Sequence, residues 1–119
     1  LDAIVSYLEE AKRALKDDGV IVAATGSQYM YSQNWLIFDN DFPENKDLKS
    51  GNLVKVHLKD ADITFTDYYW TEADYRRCFN SAGLELLEVH YPLGYASESI
   101  EWQDEMFCSP FVVFVAKKS

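Results

Sequence analysis

The stretch LEEAKRALKDDGVIVAATG, residues 8–26, constrains the fold more than any other part of the chain. Leu1, Ile4, Val5, Leu8, Ala11 and Leu15 recur at helical spacing, while Glu9, Glu10, Lys12, Arg13 and Lys16 fill the other face, so an amphipathic helix is expected over residues 1–16. Basic residues near its C-terminal end suit the macrodipole, and Gly19 offers a left-handed stop. Val20–Thr25 follows at once as an apolar run without polar alternation, the pattern of a strand covered on both faces in a parallel sheet. A helix, a glycine turn and a buried strand make half of a βαβ unit, which places the chain in the α/β class.

Residues 26–52 carry no clear period and are rich in aromatics, with Tyr29, Tyr31, Trp35, Phe38 and Phe42 among Asn, Asp and Gly. A connection this long is a functional lid or a disordered segment, and the aromatic density favours a lid. Residues 53–58 and 63–68 alternate as a hairpin around Lys59-Asp60-Ala61-Asp62. Thr71 followed by Glu72 and Asp74 supplies an N-cap and an acidic first turn, and the helix they start is expected to stop at Gly83. Two strands close the chain, Leu84–Tyr91 and Phe111–Ala116, with Pro110 at the tolerated first position. The whole chain, 1–119, reads as one domain in which residues 26–70 form a substrate-side lid and hairpin insertion.

A net charge of −9 with 11 scattered basic residues argues against a nucleic-acid surface, and no apolar run has the length of a membrane span. Cys78 and Cys108 lack metal spacing and read as reduced thiols, so a cytoplasmic protein is expected. A neutral or cationic small molecule, or another protein, is the easier partner.

In this order the residues resemble the C-terminal half of a class I S-adenosylmethionine-dependent methyltransferase. LEEAKRALKDDGVIVAAT looks like that family's helix and fifth strand, YYWTEADYRRCFNSAGLELLEV like the last helix and sixth strand, and SPFVVFVAKK like the seventh. The resemblance implies a partial Rossmann-like sheet of parallel and antiparallel strands with flanking helices. It also implies S-adenosylmethionine as cofactor of the complete enzyme. The family holds that cofactor with a glycine-rich loop and an acidic residue on its first strands. Here the five glycines include no G-x-G, so no cofactor-binding residue is assigned and the chain alone is not expected to bind the cofactor.

By the same resemblance, substrate contacts fall on Tyr29, Tyr31, Trp35 and Phe38 after the first strand and on Tyr95 and Trp102 in the final crossover, while Tyr69 and Trp70, with Tyr68, stand just before the last helix as further candidates. Aromatic walls suit a planar or methyl-accepting small molecule, and lid packing is the competing use of the same rings. His57 and His90 have the chemistry of a general base but sit where surface positions are common. Glu98, Glu101, Asp104 and Glu105 could rim a site for a cationic acceptor, and Ser27 stands at the usual ligand edge of an open sheet without an identifiable base. Catalytic residues stay unassigned. A chain that opens inside a helix is expected to continue upstream into a cofactor half; without it, the strand over 20–25 becomes an apolar edge, and a homo-oligomer through that strand or helix 1–16 is expected. The other reading is a non-catalytic α/β binding or interaction module with an aromatic-lined pocket.

Overall fold

The computed structural model covers the backbone of residues 1–119 and the side chains of all of them except Ala96. Helix α1 spans Asp2–Ala14 and buries Leu8, leading to strand β1, Val20–Gly26. The helix does not stop on Gly19. Its cap, Leu15, is extended, and Gly19 lacks a side chain because a Cβ there would meet Leu15 Cδ1 at 2.8 Å. Strands β2 (Phe38–Asp39), β3 (Leu53–Leu58) and β4 (Ile63–Tyr68) follow, then helix α2 (Glu72–Ser81) and strands β5 (Leu84–His90) and β6 (Phe111–Lys118).

Helix α2 begins as its sequence predicts. The Thr71 hydroxyl accepts the Asp74 N–H, and the Asp74 carboxylate accepts the Thr71 N–H in return, a reciprocal cap that satisfies two otherwise orphaned donors. Its C-terminal stop is Gly83 at φ +77°, a conformation that costs a side-chain-bearing residue strain.

One sheet has the order β1-β6-β5. Val20 opposes Lys117 and Gly26 opposes Phe111, while Leu84 opposes Lys118 and His90 opposes Val113, so both pairings are antiparallel. The expected parallel pairing is therefore absent among the described residues. β6 starts beside the end of β5 and runs back between its two neighbours, which separates the like-directed β1 and β5.

Both helices pack on the same face of this sheet, around Leu8, Cys78, Phe79, Ala82, Leu84, Val112, Phe114 and Ala116. The expectation that β1 is covered on both faces fails for that reason. Val20 and Val22 are 51% and 66% exposed on the opposite face.

Residues 26–52 are also more ordered than a covering loop. Strand β2 pairs with β3, and β3 with β4, in a second antiparallel sheet with its own core of Met30, Tyr31, Trp35, Phe38, Val54, Val56 and Tyr69. Buried Asn45 does what a longer ladder would do. Its amide donates to the Asn40 and Lys55 carbonyls, both at 2.7 Å, and accepts the Lys55 N–H at 2.9 Å. Among the described residues no helix is long and apolar enough to cross a membrane.

Candidate functional site

A cavity of about 620 Å³ opens at the C-terminal end of β1, between the first turns of α1, the end of β4 and the inner face of α2. Its floor is apolar, made by Leu8, Ala23, Phe79 and Phe114, and Tyr7, Tyr68, Trp70 and Tyr75 form aromatic walls. Tyr75 and Phe79 both stack at a tilt on Phe114, with centroids 5.4 and 5.2 Å away, so the floor is held by ring packing. Gly51, at φ +91°, turns the chain beside Trp70, which a Cβ would reach at 3.7 Å.

Among the described residues Asp67 is the only charged side chain lining this cavity, and it also lines a neighbouring one of about 280 Å³ with Tyr31, Met30 and Phe38. Its carboxylate therefore stands between the two spaces. Burial raises the Tyr31 phenol well above its ordinary range, and the charge of Asp67 adds to the rise. Tyr75 is raised first by burial and then by Asp67, against a hydrogen bond from Thr25 at the end of β1. Both phenols therefore stay protonated and uncharged at neutral pH.

The N-terminus of α2 anchors these walls. Ser50 donates its hydroxyl to Asp74 at 2.5 Å, fixing the turn that carries Gly51. Burial pushes the Asp74 carboxyl up, but the bonds from Ser50 and Thr71 and the charge of Arg77 outweigh it and hold the group below its usual range. Glu72 accepts the Tyr91 hydroxyl at 2.6 Å and Arg76 Nε at 2.7 Å, bonds that lower its carboxyl too, and the first ties the residue following β5 to the helix start.

No family model matches the sequence, and no curated protein matches it either. Among solved structures the fold is similar to that of a protein assigned as an S-adenosylmethionine-dependent methyltransferase from Listeria monocytogenes. That match has a TM-score of 0.65 at 15% identity and covers 97% of this chain and 55% of that one. A second, an S-adenosylmethionine-dependent methyltransferase from Clostridium acetobutylicum, has a TM-score of 0.53 at 17% identity over 99% of this chain and 52% of that one. The chain has the fold of these methyltransferases over about half of their length.

The aromatic residues singled out in the sequence are dispersed across this fold. Trp35, Phe38, Tyr31 and Tyr69 belong to the core of the second sheet, where Trp35 donates its indole N–H to the Met30 carbonyl at 2.8 Å and Tyr31 meets Tyr69 edge-on at 6.2 Å. Tyr31 and Phe38 also edge the smaller cavity, and Trp70 lines the large one. Tyr29 stacks on Tyr91 at 6.0 Å beside a separate hollow with Glu72 and Phe107. Tyr95 is 67% exposed, and Trp102 packs against Gly94, where a Cβ would meet the ring at 2.9 Å.

Two members of the acidic run, Asp104 and Glu105, are used within the fold instead of at a rim. Glu105 is buried and accepts the Leu36 and Gln103 N–H groups, and Asp104 accepts the Asn34 N–H. Ser27 is consumed structurally: its hydroxyl donates to the Ser109 carbonyl at 2.6 Å and accepts the Tyr29 N–H. His57 pairs with exposed Asp62 across the hairpin turn, and His90 lies near Glu88, both exposed on β5.

Sequence reading overlooked Asp67, Tyr75 and Tyr7. A signal for Asp67 was available: in β4 the alternation Ile63, Phe65, Asp67 puts a carboxylate where an apolar residue is due. Gly26 closes β1, and a Cβ there would meet the Met30 side chain at 3.2 Å, so the glycine leaves room for Met30 to pack.

Proposed function

We propose that this chain forms the acceptor side of an S-adenosylmethionine-dependent methyltransferase acting on a small molecule. The observation that carries the reading is the antiparallel β1-β6-β5 sheet, with α1 leading into β1 and α2 into β5, an arrangement whose fold is similar to the two methyltransferases over nearly the whole chain. The cofactor supplies an electrophilic methyl group when bound. The contribution of these residues is to bind and orient the acceptor in a cavity from which aromatic side chains exclude water.

Trp70 and Tyr68 wall the large cavity, while Tyr31 and Phe38 edge the smaller one on the other side of Asp67. Trp35 and Tyr69 support those rings from behind. Tyr29, Tyr95 and Trp102 would reach an acceptor only through the crossover side of the fold. By itself the chain neither holds S-adenosylmethionine at micromolar strength nor transfers methyl groups. The free edge of β1 and the apolar face bearing Val20 and Val22 give it a surface for pairing with a second copy.

The test is methyl transfer from labelled S-adenosylmethionine by the product of the complete open reading frame that encodes this chain, screened against small amines, phenols and acids. Transfer to one of these classes, lost on Trp70→Ala, is expected. Absence of transfer to every class, by a protein that binds the cofactor, overturns the reading.

A further inference from the structure

Asp67 occupies an unusual position for a carboxylate. Antiparallel register sets Asp67 opposite buried Val54 and Phe65 opposite buried Val56, so the inward face of the hairpin ends in an acid. Among the described residues Asp67 forms no ion pair. Its Oδ1 accepts the Tyr68 N–H at 2.7 Å, and no partner is assigned to the other oxygen. Among the described residues no Lys, Arg or His side chain lines the 620 Å³ cavity into which this acid opens.

The same cavity is lined by four further rings, those of Tyr7, Tyr68, Trp70 and Tyr75, with Phe79 and Phe114. Aromatic faces carry negative potential and attract cations, most strongly when the cation is desolvated. A carboxylate among such faces disfavours an anionic ligand and gives a neutral one no charge to match. The volume lies within the about 300–1,000 Å³ typical of small-molecule sites, wide enough for a ring with a short chain.

We propose that this cavity selects a small organic cation, a protonated aryl- or alkylamine, with Asp67 as its charge partner and Tyr7, Tyr68, Trp70 and Tyr75 as its aromatic wall. The inference deepens the acceptor-side reading and rests on it for the identity of the cavity as the acceptor site. Selection by charge is a binding property of these residues and needs no cofactor. Asp67 binds the ammonium group, and the rings take the remainder of the molecule.

Three probes of nearly equal size separate the possibilities: 2-phenylethylamine, 2-phenylethanol and 3-phenylpropanoate, titrated at pH 7 against the protein of the complete open reading frame. Chemical-shift changes at the Trp70 indole N–H report occupancy of this cavity. The amine is expected to bind at least tenfold more tightly than the alcohol, and the acid more weakly than either. Asp67→Asn, at an exposed strand position, is expected to bring the amine and alcohol within twofold, with far-UV circular dichroism unchanged. On the unmodified protein, the amine preference is expected to narrow as salt rises, whereas alcohol binding stays constant. Equal binding of amine and alcohol, no binding of the amine at Trp70, or a preference that survives both Asp67→Asn and high salt overturns the proposal. Amine selectivity without methyl transfer would leave the cavity assignment standing and sink the methyltransferase reading. Methyl transfer without amine selectivity would do the reverse.

Discussion

The buried carboxylate of Glu105 accepts the Leu36 N–H at 2.7 Å, joining positions 69 residues apart. Its second oxygen takes the Gln103 N–H at 2.8 Å, and next to it Asp104 and Asn34 exchange two further bonds at 2.9 and 3.0 Å. The final crossover thus serves as the missing partner for the backbone of the aromatic segment.

Glu105→Gln should expose the value of that arrangement. A glutamine oxygen can serve one of the two N–H groups, but its amide then faces the other donor. Leaving one buried donor unpaired costs about 1–3 kcal/mol. Urea denaturation is expected to show a loss of that size, and amide exchange at Leu36 and Gln103 should quicken more than at Val54. An unchanged denaturation midpoint would contradict this role.

Asp74 makes stability depend on pH in a defined direction. Its folded carboxyl is held below the unfolded value by Ser50, Thr71 and Arg77 in spite of burial. A depressed folded value means that the stabilisation is present above the unfolded value near 3.8 and is lost as pH falls below it toward the folded one. Asp74→Asn should cost about 1–3 kcal/mol at pH 7, and the gap from the parent should narrow progressively as pH falls below 3.8. A gap that stays constant across that range would rule out the linkage.

Local signals carried most of the elements. The 3.6-residue period of α1, the Thr71-to-Asp74 cap and the alternation in β3 are encoded within a few residues of where they act, and they appear in the structure close to where the sequence puts them. What escaped depends on contacts across the chain. Val20–Thr25 reads as doubly covered because its residues are all apolar or small, yet coverage depends on where α1 and α2 dock, and both dock on one side. The 26–52 segment hides its order because its bonds come from Asn45 and from Glu105, 60 residues further on, rather than from a periodic pattern. Aromatic content pointed to Trp35 and Tyr69, but only packing distinguishes a core ring from a cavity wall such as Tyr75.

Gly83 is the position where a methyl group should be most costly for backbone reasons. It lies at φ +77°, its carbonyl accepts both the N–H and the hydroxyl of Ser119, and a Cβ would also push on the Lys12 ammonium. Gly83→Ala is expected to lose about 1–2 kcal/mol from the left-handed conformation. Gly83→Asn, which tolerates that conformation, should lose less while displacing Lys12 just as far. Equal losses in the two variants would assign the cost to Lys12 instead of the backbone.

The edge of the larger sheet carries the last prediction. β1 is hydrogen-bonded to β6 on one side only, and Val20 and Val22 face solvent beside partly covered Val113 and Val115. An unpaired strand edge with an apolar face favours pairing with another chain, and a lysine there opposes it by placing a charge in the contact. Sedimentation velocity on this 119-residue chain should therefore show concentration-dependent association. Val22→Lys should shift it toward monomer with little change in circular dichroism, whereas Phe107→Lys, at an exposed aromatic outside the strands of that sheet, should not. A chain that sediments as a monomer at high concentration would remove β1 as an association surface, and equal effects of the two lysines would reassign the response to net charge, since the molecule carries −9 overall.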